Sequence, residues 1–224
     1  DHTFFGNALQ TSADAIYLAR HIALRSGIPN EKPALTINRL CGSGFEAVVQ
    51  GAKEIILGEA DVALTGGTES MSQAPHVVRG ARWGGLRLGP ASGQFEDLLW
   101  GALTDTNCGL SMAQTAEELA GRYGVTRSEV DEVAFHSQQR AKTAWDDGRF
   151  DTEVTGIGLR TRKGETTYRA DEHIRPDTTV EGLSALRPYF KDDGLVTAGN
   201  ASGMGDGSAT AILASAEWAE ANGI

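Results

Sequence analysis

Cys41 lies in the run Asn38-Arg39-Leu40-Cys41-Gly42-Ser43-Gly44, between an apolar β-like segment and an amphipathic helical pattern. A thiol at a strand-to-helix junction sits near the partial positive charge of the helix N-terminus. That favours thiolate over thiol and makes the residue a candidate nucleophile. Gly42 and Gly44 let the backbone pass close to a substrate and offer N–H groups to a developing oxyanion. The alternative is a small buried hydrophobe, the commoner role of a single cysteine. Cys108, in Thr106-Asn107-Cys108-Gly109, has no comparable frame and reads as a loop or packing thiol. Two cysteines in 224 residues make no disulfide framework, so a reducing compartment is expected.

The elements that must position Cys41 follow from pattern. Ala34-Leu35-Thr36-Ile37 is a short β-prone run introduced by Pro33. Phe45, Val48, Val49, Ala52, Ile55 and Ile56 then fall at the offsets of one helix face, Gly58 closes the helix, and Val62-Ala63-Leu64-Thr65 resumes a strand before Gly66-Gly67. In such a strand-helix-strand unit, ligands bind at the carboxyl edge of the sheet, where Cys41 falls. A strand is expected near Thr3-Phe4-Phe5 and a helix over 13–26. Residues 75–98, rich in Gly, Arg and Trp, read as a surface excursion. Helices return over 111–123 and from Thr126, where Glu129 stands at capping-box spacing.

Beyond that, 152–175 reads as a hairpin turning at Arg162-Lys163-Gly164, and its five basic residues, Arg160, Arg162, Lys163, Arg169 and Arg175, make it the most basic local segment. Most of these charges suit a solvated hairpin, and one or two could hold a phosphate-bearing ligand. Val196-Thr197-Ala198-Gly199-Asn200-Ala201-Ser202-Gly203 is a run of small residues that could lie against a narrow ligand, and a strand at 209–213 and a short helix at 217–222 close the pattern.

Composition excludes several classes. A hydrophobic fraction of 40% with 22% charged residues suits a globular chain with a real core, and the 28 glycines are dispersed among turns, not gathered in a low-complexity tract. The net charge of −10 argues against bulk attraction to nucleic acid or anionic membrane. The two helical patterns around Tyr123-Gly124-Val125-Thr126 mimic a helix-turn-helix, but Glu129, Asp131 and Glu132 crowd the second helix, where a DNA reader needs cations. No apolar stretch approaches the roughly 18 residues of a membrane span. The chain opens at Asp1-His2-Thr3 without initiator methionine, signal peptide or transit segment, and is expected to be cut from something longer.

Three motifs in order carry a resemblance: the run around Cys41, then Gly66-Gly67-Thr68-Glu69-Ser70-Met71-Ser72, then Thr197-Ala198-Gly199-Asn200-Ala201-Ser202-Gly203. With Gly6-Asn7-Ala8-Leu9-Gln10 and Asp171-Glu172-His173-Ile174-Arg175-Pro176, the chain resembles the thiolase family along its whole length, in particular the mitochondrial and bacterial 3-ketoacyl-CoA thiolases, or acetyl-CoA acyltransferases. The resemblance implies an α/β fold, a layered α-β-α N-terminal domain with an inserted loop domain. Residues 1–74 would be the N-terminal domain without its first strand and helix. Residues 75–204 would be the loop domain for CoA binding and oligomerisation, with 77–89 in a tetramer-building region. Residues 205–224 would return to the first domain, and the C-terminal thiolase domain would be absent.

It also implies roles. Cys41 matches the nucleophile that takes the acyl group from a 3-ketoacyl-CoA, and its own N–H matches one oxyanion donor. Ala198 and Ser202 match contacts to the pantetheine arm, Arg175 a side chain against the adenine end of CoA, and Met112 a residue lining the substrate pocket. Ser111 stands where some short-chain members have a histidine, which leaves chain-length preference open. CoA and acyl-CoA enter as substrates, with no bound cofactor and no metal. The partners are a small-molecule acyl-CoA and, in the intact protein, copies of itself in a homodimer or homotetramer, with no nucleic acid and no membrane. The compartment would be bacterial cytoplasm or the mitochondrial matrix of a eukaryote.

Thiolysis also needs a general acid/base and further oxyanion donors. Family members supply them from Asn-Glu-Ala-Phe, Gly-His-Pro and Cys-x-Gly segments that do not occur before Ile224, and His2, His21, His76, His136 and His173 lie in no such motif. The 224 residues by themselves are therefore expected to be inactive, with exposed apolar surface. Two alternatives share the fold: a non-catalytic acyl-CoA or lipid carrier, and a ketoacyl synthase-like condensing enzyme, against which Cys-Gly-Ser-Gly and Asn-Ala-Ser-Gly speak. The direction, β-oxidation or Claisen condensation of acetyl-CoA, is open because the same groups serve both.

Overall fold

A computed structural model describes residues 1–85, 95–162 and 164–224. The chain divides into two compact units, Asp1–Leu103 with Met204–Ile224, and Thr104–Gly203. The first runs β1 (His2–Gly6), α1 (Leu18–Arg25), β2 (Ala34–Ile37), α2 (Ser43–Ile56), β3 (Val62–Ser70), β4 (His76–Val78), α3 (Ala81–Gly84), β5 (Phe95–Asp97) and α4 (Leu98–Ala102). The second holds β6 (Thr104–Asp105), β7 (Leu110–Ser111), α5 (Met112–Tyr123), α6 (Arg127–Asp146), β8 (Ile157–Thr161), β9 (Gly164–Tyr168) and α7 (Val180–Ser184). The chain then returns to the first unit with β10 (Asp206–Ala214) and α8 (Ala216–Ala221).

The sheet of the first unit has the order β10-β3-β1-β2. β1 is parallel to both neighbours, with Gly6 opposite Ile37 on one side and Gly67 on the other, and β10 runs antiparallel to β3. β1 and β2 thus end together at the edge from which the Cys41 turn departs, and β3 runs on to Ser70 beside β10. Side chains alternate across the pleat, so Phe4 faces α2 and packs with Ala47 and Ala63, while Thr36 on the other face accepts a hydrogen bond from Ala19 N of α1 (3.1 Å). Helices therefore cover both faces, the layering expected for the N-terminal α/β domain.

Sequence pattern and structure part at three places. The apolar stripe of α2 is not the side that meets the sheet: Ser43, Ala47 and Gly51 are buried, whereas Phe45 and Ile56 are each 82% exposed. Small residues win because the helix lies close. A Cβ on Gly51 would come within 2.8 Å of Thr65 Cγ2 and 3.0 Å of Leu213 Cδ1. The helix expected over 13–26 begins as a 3₁₀ turn at Ala15–Tyr17 and becomes α-helical only at Leu18. Ser12 Oγ donates to Asp14 Oδ1 (2.8 Å), a local bond that competes with helix entry. The ends of the 75–98 excursion are paired: β4 and β5 form an antiparallel ribbon, His76 opposite Asp97. Residues 86–94, which include part of the 77–89 stretch, and Lys163 of the hairpin turn lie outside the described residues.

The capping box at Thr126 and Glu129 forms as its spacing predicts, and Ser111 with Gln114 makes a second at the start of α5. The hairpin β8–β9 pairs Ile157 with Tyr168 and Thr161 with Gly164.

Candidate functional site

Cys41 is exposed at the turn between β2 and α2. Leu40, just before it, has φ +50°, the one left-handed non-glycine residue among those described. Such a conformation costs a residue with a Cβ about 1–2 kcal/mol, so neighbouring bonds must hold it. Asn38 Oδ1 accepts from Leu40 N (3.0 Å), and Asn38 Nδ2 donates to Ala8 O (3.1 Å) beyond the end of β1. Buried Ser43 accepts from Arg39 N (2.8 Å) on the Oγ that donates to Leu40 O (2.5 Å). Arg39 also pairs with Glu46. A hydrogen bond from Gln50 and then the Arg39 guanidinium hold the Glu46 carboxyl below its ordinary pKa.

The helix start behind the cysteine is pressed against the sheet edge. A Cβ on Gly6 would fall 2.4 Å from Ser43 C and 2.6 Å from Gly44 N, and one on Gly67 3.1 Å from Gly44 Cα. Glycine at these two strand positions is what admits the helix. Gly42 is the N-cap of α2 and supplies no side-chain cap, in contrast to Ser111 and Thr126 on α5 and α6. Ser43 N donates to Leu40 O (3.0 Å), and the turn that follows has no side-chain cap, an arrangement in which helix-start N–H groups can receive an oxyanion. Glu69 steadies the segment after β1 by accepting from Ala8 N, Leu9 N and Asn7 Nδ2, each at 2.9 Å.

Within the second unit, a groove of about 1020 Å³ is lined by Arg175, Ala198 and Ser202, together with His173 and Gly203. The structure thus brings together three residues proposed from sequence. Met112, the first residue of α5, is 47% exposed and does not line this groove, and Cys41 belongs to the other unit. Gln138 of α6 fixes the His173-to-Arg175 segment by accepting from Arg175 N (2.8 Å) and donating to His173 O (3.3 Å). His173 lies against the small-residue loop, where a Cβ on Gly203 would meet its Nε2 at 2.8 Å. Of the basic hairpin residues, Arg160 pairs with Glu165 and Arg169 with Asp151, whereas Arg175 faces the groove.

Sequence reasoning missed the groups that shape this loop. Glu117 of α5 and Asp131 of α6 are buried, and Glu117 accepts from Leu195 N and Val196 N while Asp131 accepts from Asn200 Nδ2. Their positions among exposed acids resemble a solvated helix face, and only Asn200 within its motif gave any signal. Among the described residues no group of three or more His, Cys, Asp or Glu side chains is arranged to hold a metal ion, and no described helix is long and apolar enough to cross a membrane.

Residues 1–217 match the family model described as "Thiolase, N-terminal domain". The human mitochondrial 3-ketoacyl-CoA thiolase is 55% identical over 215 residues, which cover 96% of this chain and 54% of that protein. The beta-ketothiolase BktB of Cupriavidus necator is 43% identical over 224 residues, covering 100% and 56% respectively. The crystal structure of the human mitochondrial enzyme in complex with CoA superposes with a TM-score of 0.92 at 52% identity, over all of this chain and 55% of that one. The chain spans about half the length of the curated relatives it matches.

Proposed function

The chain belongs to the thiolase family through its N-terminal domain, and from that premise we propose that the protein it is part of transfers acyl groups between 3-ketoacyl-CoA and CoA through an acyl-cysteine at Cys41. The observation that carries the reading is the exposed thiol on a locked, left-handed turn at the start of a helix without a side-chain cap. The Cys41 thiolate attacks the 3-keto carbon, and N–H groups at the start of α2 receive the negative charge on the carbonyl oxygen. Collapse breaks the C2–C3 bond, the electron pair leaves with the acetyl-CoA carbanion, and a proton completes acetyl-CoA. The thiol of a second CoA then displaces Cys41 from the thioester, giving an acyl-CoA shortened by two carbons. Run backwards, the same steps condense two acetyl-CoA molecules.

The groove of the second unit is the proposed CoA site, with Ala198 and Ser202 along the pantetheine arm and Arg175 at the adenine end. The Arg175 guanidinium beside a lining of small residues suits a narrow, phosphate-bearing ligand. Met112 is proposed for the acyl pocket. No described side chain donates to or accepts from the Cys41 sulfur. The proton-transfer groups are therefore proposed to lie outside these 224 residues, which by themselves should turn over nothing. The domain roles suggested by the resemblance are proposed likewise: an N-terminal α/β domain at 1–74 and 205–224 and a loop domain for CoA and oligomerisation at 75–204. Assembly as a homodimer or homotetramer is proposed on the same footing, as is residence in the mitochondrial matrix of a eukaryote or in bacterial cytoplasm.

Acetyl-CoA incubated with the full-length protein, followed by peptide mass mapping, should place one acetyl group on Cys41, and Cys41→Ser should abolish both label and thiolysis of acetoacetyl-CoA. Label confined to Cys108 or to residues other than cysteine overturns the assignment. CoA binding without label or turnover would make the protein a carrier.

A further inference from the structure

We propose that Glu117 and Asp131 are positioning residues that fix the Thr197-to-Gly203 loop and thereby set the affinity for CoA, an inference that rests on reading the groove as the CoA site. Neither residue lines the groove. Glu117 is 4% exposed, and no cation among the described residues pairs with it. Its Oε1 accepts from Leu195 N (2.8 Å) and Val196 N (2.7 Å), and its Oε2 from Leu195 N (3.0 Å). A buried carboxyl group is tolerated only while such donors face it, so the side chain and the backbone just ahead of the loop hold each other in one arrangement. A Cβ on Gly194 would sit 2.8 Å from Glu117 Oε1, so the backbone passes directly over the carboxylate.

Asp131, 1% exposed, acts from the other side. Its Oδ2 accepts from Arg127 Nε (2.8 Å) and its Oδ1 from Asn200 Nδ2 (2.8 Å). Asn200 relays this into the loop: Nδ2 also donates to Leu195 O (2.8 Å), and Oδ1 accepts from Thr197 N (2.8 Å). Arg127 in turn donates to Leu183 O and Leu186 O around α7, against whose side chains Gly199 packs so closely that a Cβ would lie 2.5 Å from Leu186 Cδ1. The loop that carries Ala198 and Ser202 is thus tied to α5, α6 and α7 by charged or amide groups set behind it. A polar network that is fully satisfied specifies one backbone arrangement, and a groove already in its binding shape avoids the ordering cost on association.

The test uses the full-length protein and CoA itself, in the thiolysis of acetoacetyl-CoA. Glu117→Ala should raise KM for CoA about ten-fold or more at nearly unchanged kcat. Glu117→Gln should restore most of it, because the amide keeps the Oε1 acceptor that takes both shorter bonds. A residue that only supports folding would lower the active fraction, and so kcat, with KM unmoved; that result overturns the proposal. If Glu117→Ala does not accumulate as folded protein, Asn200→Ala carries the same expectation and the same refutation. Arg175→Ala separates the two readings. A raised KM there with none in Glu117→Ala leaves the CoA site standing and removes the positioning role, whereas an unmoved KM in both removes the CoA reading and the proposal with it.

Discussion

Leu40 occupies a backbone region that its side chain disfavours, and the residues around it exist in part to keep it there. Its carbonyl and N–H are held by Ser43 and Asn38, two side chains whose other bonds reach Arg39 N and Ala8 O. Asparagine tolerates the left-handed region better than leucine. Leu40→Asn is therefore expected to raise stability by up to about 1 kcal/mol, read from urea denaturation, without moving the acetylation site. Gly6→Ala should do the opposite. Its methyl would collide with the backbone of Ser43 and Gly44, atoms that cannot rotate away, so a loss of about 1–3 kcal/mol is expected together with slower acetylation of Cys41. Unchanged acetylation in a destabilised Gly6→Ala would show that the strand end supports the fold but not the nucleophile. Cys41 is proposed from residue type and spacing, and Arg175, Ala198 and Ser202 from the family resemblance. Glu117 and Asp131 were legible from neither, because a charged residue in a helical pattern is ordinarily solvated and burial is a property of its neighbours.

At the level of elements, helix ends follow local chemistry and helix faces do not. Thr126 and Glu129 form their capping box within four residues, so spacing suffices to foresee it. Backbone and then side-chain hydrogen bonds from Thr126 hold the Glu129 carboxyl below its ordinary pKa. A depressed carboxylate stabilises the fold above its unfolded-state pKa, and that contribution is lost as pH falls through the lower folded-state value. Thr126→Ala is expected to cost about 1 kcal/mol at neutral pH and to flatten the acid limb of a thermal-melting profile; an acid limb as steep as that of the parent would assign it to other carboxylates. The side of α2 that meets the sheet could not be foreseen in the same way. The helix carries a full stripe of large apolar residues, yet Ala47 and Gly51 are the ones that allow it to approach Thr65 and Leu213.

Over the whole molecule, the consequence is a helix that keeps Phe45 and Ile56 in solvent, with Leu57 73% exposed just beyond its end. Apolar side chains in such a row promote association. The isolated 224-residue chain is expected to bind a hydrophobic dye and to sediment as more than a monomer, and Phe45→Glu with Ile56→Glu should reduce both; a monodisperse, dye-silent parent chain would refute this. Sequence by itself determined the strand-helix-strand unit, the placement of Cys41 at its first turn, the Thr126–Glu129 cap and the family. All of these depend on residue type at short spacing and on motif order. Tertiary structure alone decided which face of α2 is buried, that Gly6 and Gly67 admit its first turn, and that Glu117 and Asp131 lie beneath the Thr197-to-Gly203 loop. Those outcomes depend on which backbone passes within a few ångströms of another, and they bring together residues far apart in the chain, such as Gly6 with Ser43, Gly51 with Leu213 and Glu117 with Val196.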